Sequence, residues 1–207
     1  MKVYGHPAST CTQKVLATLA EKGQKAEFVL VDILKGEQKN ADFLARQPFG
    51  VVPVLEEDDG FSLYESRAII RYLDAKFAEN PLTPADLKQR GLMEQMISVE
   101  HSYFSPKAMK FVLEIFFAPM KGTQPYQEVS DRGREETGKV LDVIEKHLVG
   151  KEFLAGTFSL AEITYAPYMQ YVCAVGSADL IESRPNVAAW WKRVSERPSW
   201  KIATGKG

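Results

Sequence analysis

A change of hydrophobic period near residue 80 constrains this chain most. Before it, short β-rich runs alternate with helical stretches; after Glu79-Asn80-Pro81-Leu82-Thr83-Pro84, nothing reads as a strand. Two prolines in a polar stretch make a short, stiff linker. The chain therefore divides into an N-terminal α/β domain over 1–79, a linker over 80–86 and an all-helical domain over 87–207.

The first part reads in order as βαβαββα. Residues 1–4 form a short strand, and Val15, Leu16, Leu19 and Ala20 lie on one face of the helix that follows. Residues 26–31 are β-rich, which completes a βαβ unit and favours a parallel pair. A short helix is expected over 38–46, stopped by Pro48 and Gly50. Residues 51–56 form a strand containing Pro53, which places that strand at an edge or bulge or marks a cis bond. Asp58-Asp59-Gly60 is a hairpin-type turn, residues 61–64 return, and Glu65-Ser66 opens the last helix.

The second part is helical. Leu92, Met96, Val99 and Tyr103 recur at helical spacing, continued by Phe111, Ile115 and Phe116, with Pro106 and Pro119 expected to kink or end the run. Ser159-Leu160-Ala161-Glu162 has the pattern of a capping box. Trp190, Trp191 and Val194 mark a late helix.

Within this plan Gly5-His6-Pro7-Ala8-Ser9-Thr10-Cys11-Thr12 is the stretch with chemical potential. A strand that turns into a helix leaves unpaired N–H groups and partial positive charge, which suits an anion. Ser9, Thr10 and Cys11 are candidates there for sulfur chemistry or for stabilising a thiolate. Elsewhere the sequence excludes more than it offers. Lys and Arg total 26 against 27 acids, so no positive field draws a nucleic acid. No apolar run approaches the ~20 residues of a membrane helix. The cysteines, Cys11 and Cys173, cannot build a disulfide framework, and no secretory leader is evident at the N-terminus. A reduced, cytoplasmic protein is expected.

Several motifs resemble the glutathione S-transferases. They are Ser9 in Pro-Ala-Ser-Thr, Gln38-Lys39 after Gly36-Glu37, Pro48-Phe49-Gly50-Val51-Val52-Pro53, and Glu65-Ser66-Arg67-Ala68-Ile69. Phe158-Ser159-Leu160-Ala161-Glu162 and Arg184-Pro185-Asn186-Val187 with Trp190-Trp191 extend the likeness over essentially the whole chain. Order and spacing are most similar to the phi class and its bacterial relatives. The resemblance implies a thioredoxin-like first domain, a helical second domain, a homodimer, glutathione as cofactor, and a role in detoxification.

It also implies roles for particular residues. Ser9 resembles the serine whose hydroxyl donates to the glutathione sulfur. Lowering a thiol pKa from about 8.5 to about 6.5 raises the thiolate fraction at pH 7 from roughly 3% to roughly 75%. The same serine also suits a plain helix cap. Ser66 would take the γ-glutamyl carboxylate while Glu65 faces the ammonium; Val52, before a cis Pro53, would pair with the cysteinyl backbone. Gln38 and Lys39 would meet the glycyl carboxylate. Gln38 stands where the family often has His, and Val51 where Gln or Lys is common. Tyr103, Phe104, Phe111 and Phe116 would line an apolar pocket for a small hydrophobic electrophile, although helical core explains each alone. Cys11 offers an alternative nucleophile. The expected activity is conjugation of hydrophobic electrophiles or reduction of organic hydroperoxides. The alternatives are a glutathione-dependent thiol–disulfide oxidoreductase using Cys11 and a non-catalytic ligand-binding protein.

Overall fold

The structure is a computed structural model and describes residues 1–120 and 122–205. It divides into two compact units, one of Met1–Leu82 with the chain from Arg197 onward, the other of Thr83–Glu196. The first unit thus gains the end of the chain, which the sequence pattern groups with the helical segment 87–207.

The first unit has the expected order: β1 (Lys2–Gly5), α1 (Thr10–Glu21), β2 (Glu27–Leu30), α2 (Ala41–Leu44), β3 (Val54–Glu56), β4 (Ser62–Tyr64) and α3 (Ser66–Lys76). The helix expected over 38–46 is instead a 3-10 turn, Glu37–Lys39, followed after Asn40 by the single turn of α2. Gly36 precedes that turn at φ +78, a conformation open to glycine that tightens the entry.

The sheet order is β2-β1-β3-β4, with β1 and β2 parallel and the other neighbours antiparallel. Alternation divides its faces. Tyr4, Val54 and Tyr64 are register partners and pack with Val31, Phe43 and Val52 on the α2 side. Val3 and Leu55, one residue along, are fully buried with Ile69, Ile70 and Leu73 of α3.

A buried ion pair ties the helices of this unit to its exit. Lys22 at the end of α1 pairs with Asp74 of α3, and both are almost completely buried. The same ammonium donates to the Glu79 and Asn80 carbonyls (3.3 and 2.9 Å), and Asp74 accepts from the Leu82 N–H at 2.8 Å. A buried charge needs such a set of partners, because desolvation alone would cost more than the pair returns. The returning segment packs α10 (Pro198–Ala203) on α1. Arg197 grips Glu21 with two N–H···O bonds of 2.7 and 2.8 Å, and Ser199 donates to the same carboxylate.

The second unit holds α4 (Leu87–Val99), α5 (Ser105–Met120), α6 (Gln127–His147), α7 (Leu160–Ala174), α8 (Asp179–Glu182) and α9 (Pro185–Ser195). Between α4 and α5 lies a π-helical turn, Glu100–Phe104. Pro106 lacks the N–H that would reach the Ser102 carbonyl, and the wider turn before it keeps the helical path continuous. Pro119 is the penultimate residue of α5, which ends at Met120. Where α5 and α6 approach, Gly133 leaves no room: a Cβ there would lie 2.6 Å from the Phe111 Cβ.

The capping box at α7 is present and does more than cap. Ser159 N–H donates to Glu162 at 2.9 Å, and Ala161 N–H donates to the Ser159 hydroxyl at 3.2 Å. The Leu154 N–H and the Trp190 indole N–H also reach the Glu162 carboxylate, at 2.7 and 3.3 Å. Burial pushes the carboxyl up from its usual range, while these hydrogen bonds pull it back. Truncation would strand several buried donors at about 1–3 kcal/mol each, so Glu162→Ala should destabilise this unit by about 3 kcal/mol or more. A lowered urea midpoint followed by tryptophan fluorescence checks this.

Candidate functional site

Register brings the candidate residues of the first unit to one end of the sheet. Tyr4, Val54 and Tyr64 are adjacent across β1, β3 and β4. One step beyond this row the chain continues into the loop to Ser9, into the Val52–Pro53 bond, and into Glu65-Ser66. Because β2 is parallel to β1, its exit toward the Glu37–Lys39 turn lies at the same end.

Ser9 is the N-cap of α1 in extended conformation, and its hydroxyl oxygen accepts from the Thr12 N–H at 3.3 Å. An accepting hydroxyl still has its own proton to give. The cap and the donor are therefore compatible uses of one group. Cys11 lies inside the first turn of the helix, partly buried and unoxidised.

The loop leading to Ser9 is tightly held. Ser9 N–H donates to the His6 carbonyl at 2.9 Å, Ala8 N–H to His6 Nδ1 at 3.2 Å, and His6 N–H to the Thr12 hydroxyl at 3.4 Å. The Gln13 amide donates to the Pro7 carbonyl at 2.9 Å. A Cβ on Gly5 would lie 2.6 Å from Thr12 Cγ2.

Val52–Pro53 is cis, and Pro53 is buried. Ser66 is the first residue of α3 and is buried, whereas the Glu65 side chain is exposed. Glu65 holds φ +71, which a non-glycine residue adopts at a cost of about 1–3 kcal/mol. Lys39 is exposed, and its ammonium donates to the Phe49 carbonyl at 3.1 Å. Gly50, at φ +61, makes that reach possible: a Cβ there would lie 2.8 Å from the Lys39 ammonium and 2.9 Å from the Gln38 carbonyl. Gln38 differs from expectation. Its amide points to the Ile33 carbonyl at 3.4 Å and its oxygen is buried, so part of its hydrogen-bonding capacity is turned inward.

The aromatic set of the second unit splits. Phe104 and Phe111 are fully buried, which removes them as pocket-lining side chains. Phe104 packs on Tyr165 and Tyr168 with centroids 5.2 and 6.5 Å apart, and Phe111 fills the space over Gly133. Helical periodicity cannot anticipate a π turn, which rotates the positions that follow it. Tyr103 and Phe116 are 56% and 49% exposed and remain available to a bound molecule. The reach of Gln13 and the space kept by Gly50 had no signature in the sequence.

Known proteins share this sequence pattern and fold. The family model for the glutathione S-transferase N-terminal domain matches residues 3–81, and that for its C-terminal domain matches residues 106–198. Glutathione S-transferase F10 of Arabidopsis thaliana is 39% identical over 204 residues, 97% of this chain and 94% of the relative. The chain belongs to the glutathione S-transferase family. It is an enzyme of that kind, and its first unit has the family's thioredoxin-like sheet. Glutathione transferase F7 from Populus trichocarpa superimposes with a TM-score of 0.92 at 39% identity, over 100% of this chain and 99% of that one. Glutathione S-transferase I from mais, solved in complex with an atrazine glutathione conjugate, gives 0.89 at 32% identity, over 99% and 97% of the two chains.

The packing at Gly5 generates a test of how firmly the Ser9 turn is built. Gly5→Ala forces Thr12 to move and should cost about 1–3 kcal/mol of stability. Thermal unfolding of the variant beside the parent protein measures it.

Proposed function

We propose that this transferase activates glutathione through the Ser9 hydroxyl. The observation that carries this reading is the cap itself. Ser9 Oγ accepts from the Thr12 N–H, which leaves its proton free for a sulfur at the α1 N-terminus. A hydrogen bond to the thiolate and the positive helix end both favour the charged form of the thiol. The thiolate then attacks an electrophilic carbon and displaces its leaving group, or attacks the terminal oxygen of an organic hydroperoxide, breaking the O–O bond to release the alcohol; the glutathione sulfenic acid so formed reacts with a second glutathione to give the disulfide and water.

The remaining holders follow the parts of the tripeptide. Ser66 and the first N–H groups of α3 suit the γ-glutamyl carboxylate, with Glu65 toward the ammonium. The Val52 backbone suits the cysteinyl peptide. Lys39 suits the glycyl carboxylate as the charged member, and Gln38 contributes at most one further donor. Glutathione is in this reading a substrate consumed in conjugation. Tyr103 and Phe116 offer apolar surface to a small hydrophobic electrophile. The mais relative supports that class, since its structure holds an atrazine conjugate of glutathione.

Detoxification in a reducing cytoplasm, as a homodimer, completes the proposal. The unpaired Cys11 and Cys173 suit a reducing compartment. Among the described residues no helix is long and apolar enough to cross a membrane.

Ser9→Ala should lower kcat/KM for an aromatic chloride by between about 5- and 50-fold near pH 6.5, the range expected when a thiol pKa rises from about 6.5 by one to two units. Cys11→Ala should leave conjugation unchanged. If Ser9→Ala conjugates normally and Cys11→Ala loses mixed-disulfide reduction, the oxidoreductase reading replaces this one. Lys39→Met should raise KM for glutathione about fivefold with kcat little altered, as an exposed ion pair of about 1 kcal/mol implies. Steady-state kinetics with glutathione varied would register that split.

A further inference from the structure

We infer that Gln13 is a positioning residue that holds the Ser9 hydroxyl in place by bonding the carbonyl of Pro7; this rests on the reading of Ser9 as the thiolate's donor. Gln13 lies in the first turns of α1, and only 4% of it is exposed. Its side chain runs back along the helix, as side chains on a helix do, toward the loop that precedes the cap. There Nε2 donates to the Pro7 carbonyl at 2.9 Å.

The loop explains why that bond matters. Pro7 has no N–H, so its peptide contributes only an acceptor. Two further bonds fix the ends of the segment: Ser9 N–H to the His6 carbonyl, and His6 N–H to the Thr12 hydroxyl. Ala8 N–H is satisfied by His6 Nδ1. The Pro7 carbonyl is anchored to the helix by Gln13, while the Gln13 N–H itself closes onto the Ser9 carbonyl at 2.9 Å. One residue thus holds both the peptide before the cap and the cap's own carbonyl.

The chemical nature of Gln13 points the same way. Its second amide atom, Oε1, is buried with no protein partner. A hydrocarbon of the same size would avoid burying that oxygen, so the amide is poorly explained by packing alone. Its N–H donor is what the position uses. A hydrogen bond to a thiolate tolerates misplacement of only about 0.5 Å. Loosening the Pro7 peptide would move Ser9 Oγ by more than that without unfolding anything.

Gln13→Met keeps the volume and removes the donor. With it, the pKa of enzyme-bound glutathione, read from thiolate ultraviolet absorbance across pH, should rise by about one unit, a tenfold smaller thiolate fraction at pH below both values. Binding of S-methylglutathione, which has no thiol, should stay within about twofold of the parent, as a positioning role requires. The cycle with Ser9→Ala decides the mechanism: in that background Gln13→Met should shift the thiol pKa no further. An unchanged pKa in Gln13→Met, or an equal shift in both backgrounds, overturns the proposal. Should Gln13→Met not fold, Gln13→Leu carries the same cycle, since it removes the donor without adding a charge. If Ser9→Ala alone leaves the thiol pKa unmoved, the Ser9 reading itself has failed, a result distinct from failure of the Gln13 link.

Discussion

The row formed by Tyr4, Val54 and Tyr64 is the constraint on which the site depends. Antiparallel pairing of β1 with β3 and of β3 with β4 makes one end of the sheet the exit of two strands and the entrance of a third. Three unrelated pieces of chain, the Ser9 turn, the cis Val52–Pro53 bond and the start of α3, therefore meet where no single segment could carry a site. A slip of one residue would exchange the two faces and separate the pieces. The buried sets on each face, Val3 with Leu55 and Tyr4 with Val54, prevent that slip.

At that end two helix N-termini offer backbone polarity beside the formal charges of Lys39 and Glu65. The first turn of α1 has no acidic residue, and α3 begins on a buried serine. Both helices point N–H groups at the place where anions would lie. Glu65 at φ +71 shows local backbone preference yielding at the site, whereas Gly50 at φ +61 follows its own. Gly50 contributes by absence, since a side chain there would occupy the space of Lys39.

Much of this was legible before the structure. The period change at residue 80, the strand–helix turn at Ser9 and the capping box at Ser159 are local, so local patterns announce them. What was not legible depends on distant atoms. The resemblance groups Phe104 and Phe111 with Tyr103 and Phe116, and only their partners, Tyr165 and Gly133, show the first two to be core. The 3-10 turn at Glu37–Lys39 replaced the start of an expected helix because Gly36 and Asn40 bracket it closely. The bond from Gln13 to Pro7 spans six residues of irregular chain, which no periodicity describes. The return of Arg197–Ala203 to the first unit follows from a carboxylate, Glu21, that lies 176 residues earlier.

That return has a consequence for how the chain is made. A ribosome delivers β1 to α3 early, yet the helix that covers α1 and the arginine that pairs with Glu21 emerge only after the whole second unit. Through most of synthesis the thioredoxin-like unit waits with that part of α1 uncovered. Chains released early by a premature stop before Arg197 carry every candidate glutathione contact but lack this closure. Such a chain would differ from the full one by an exposed face of α1, not by a missing candidate residue.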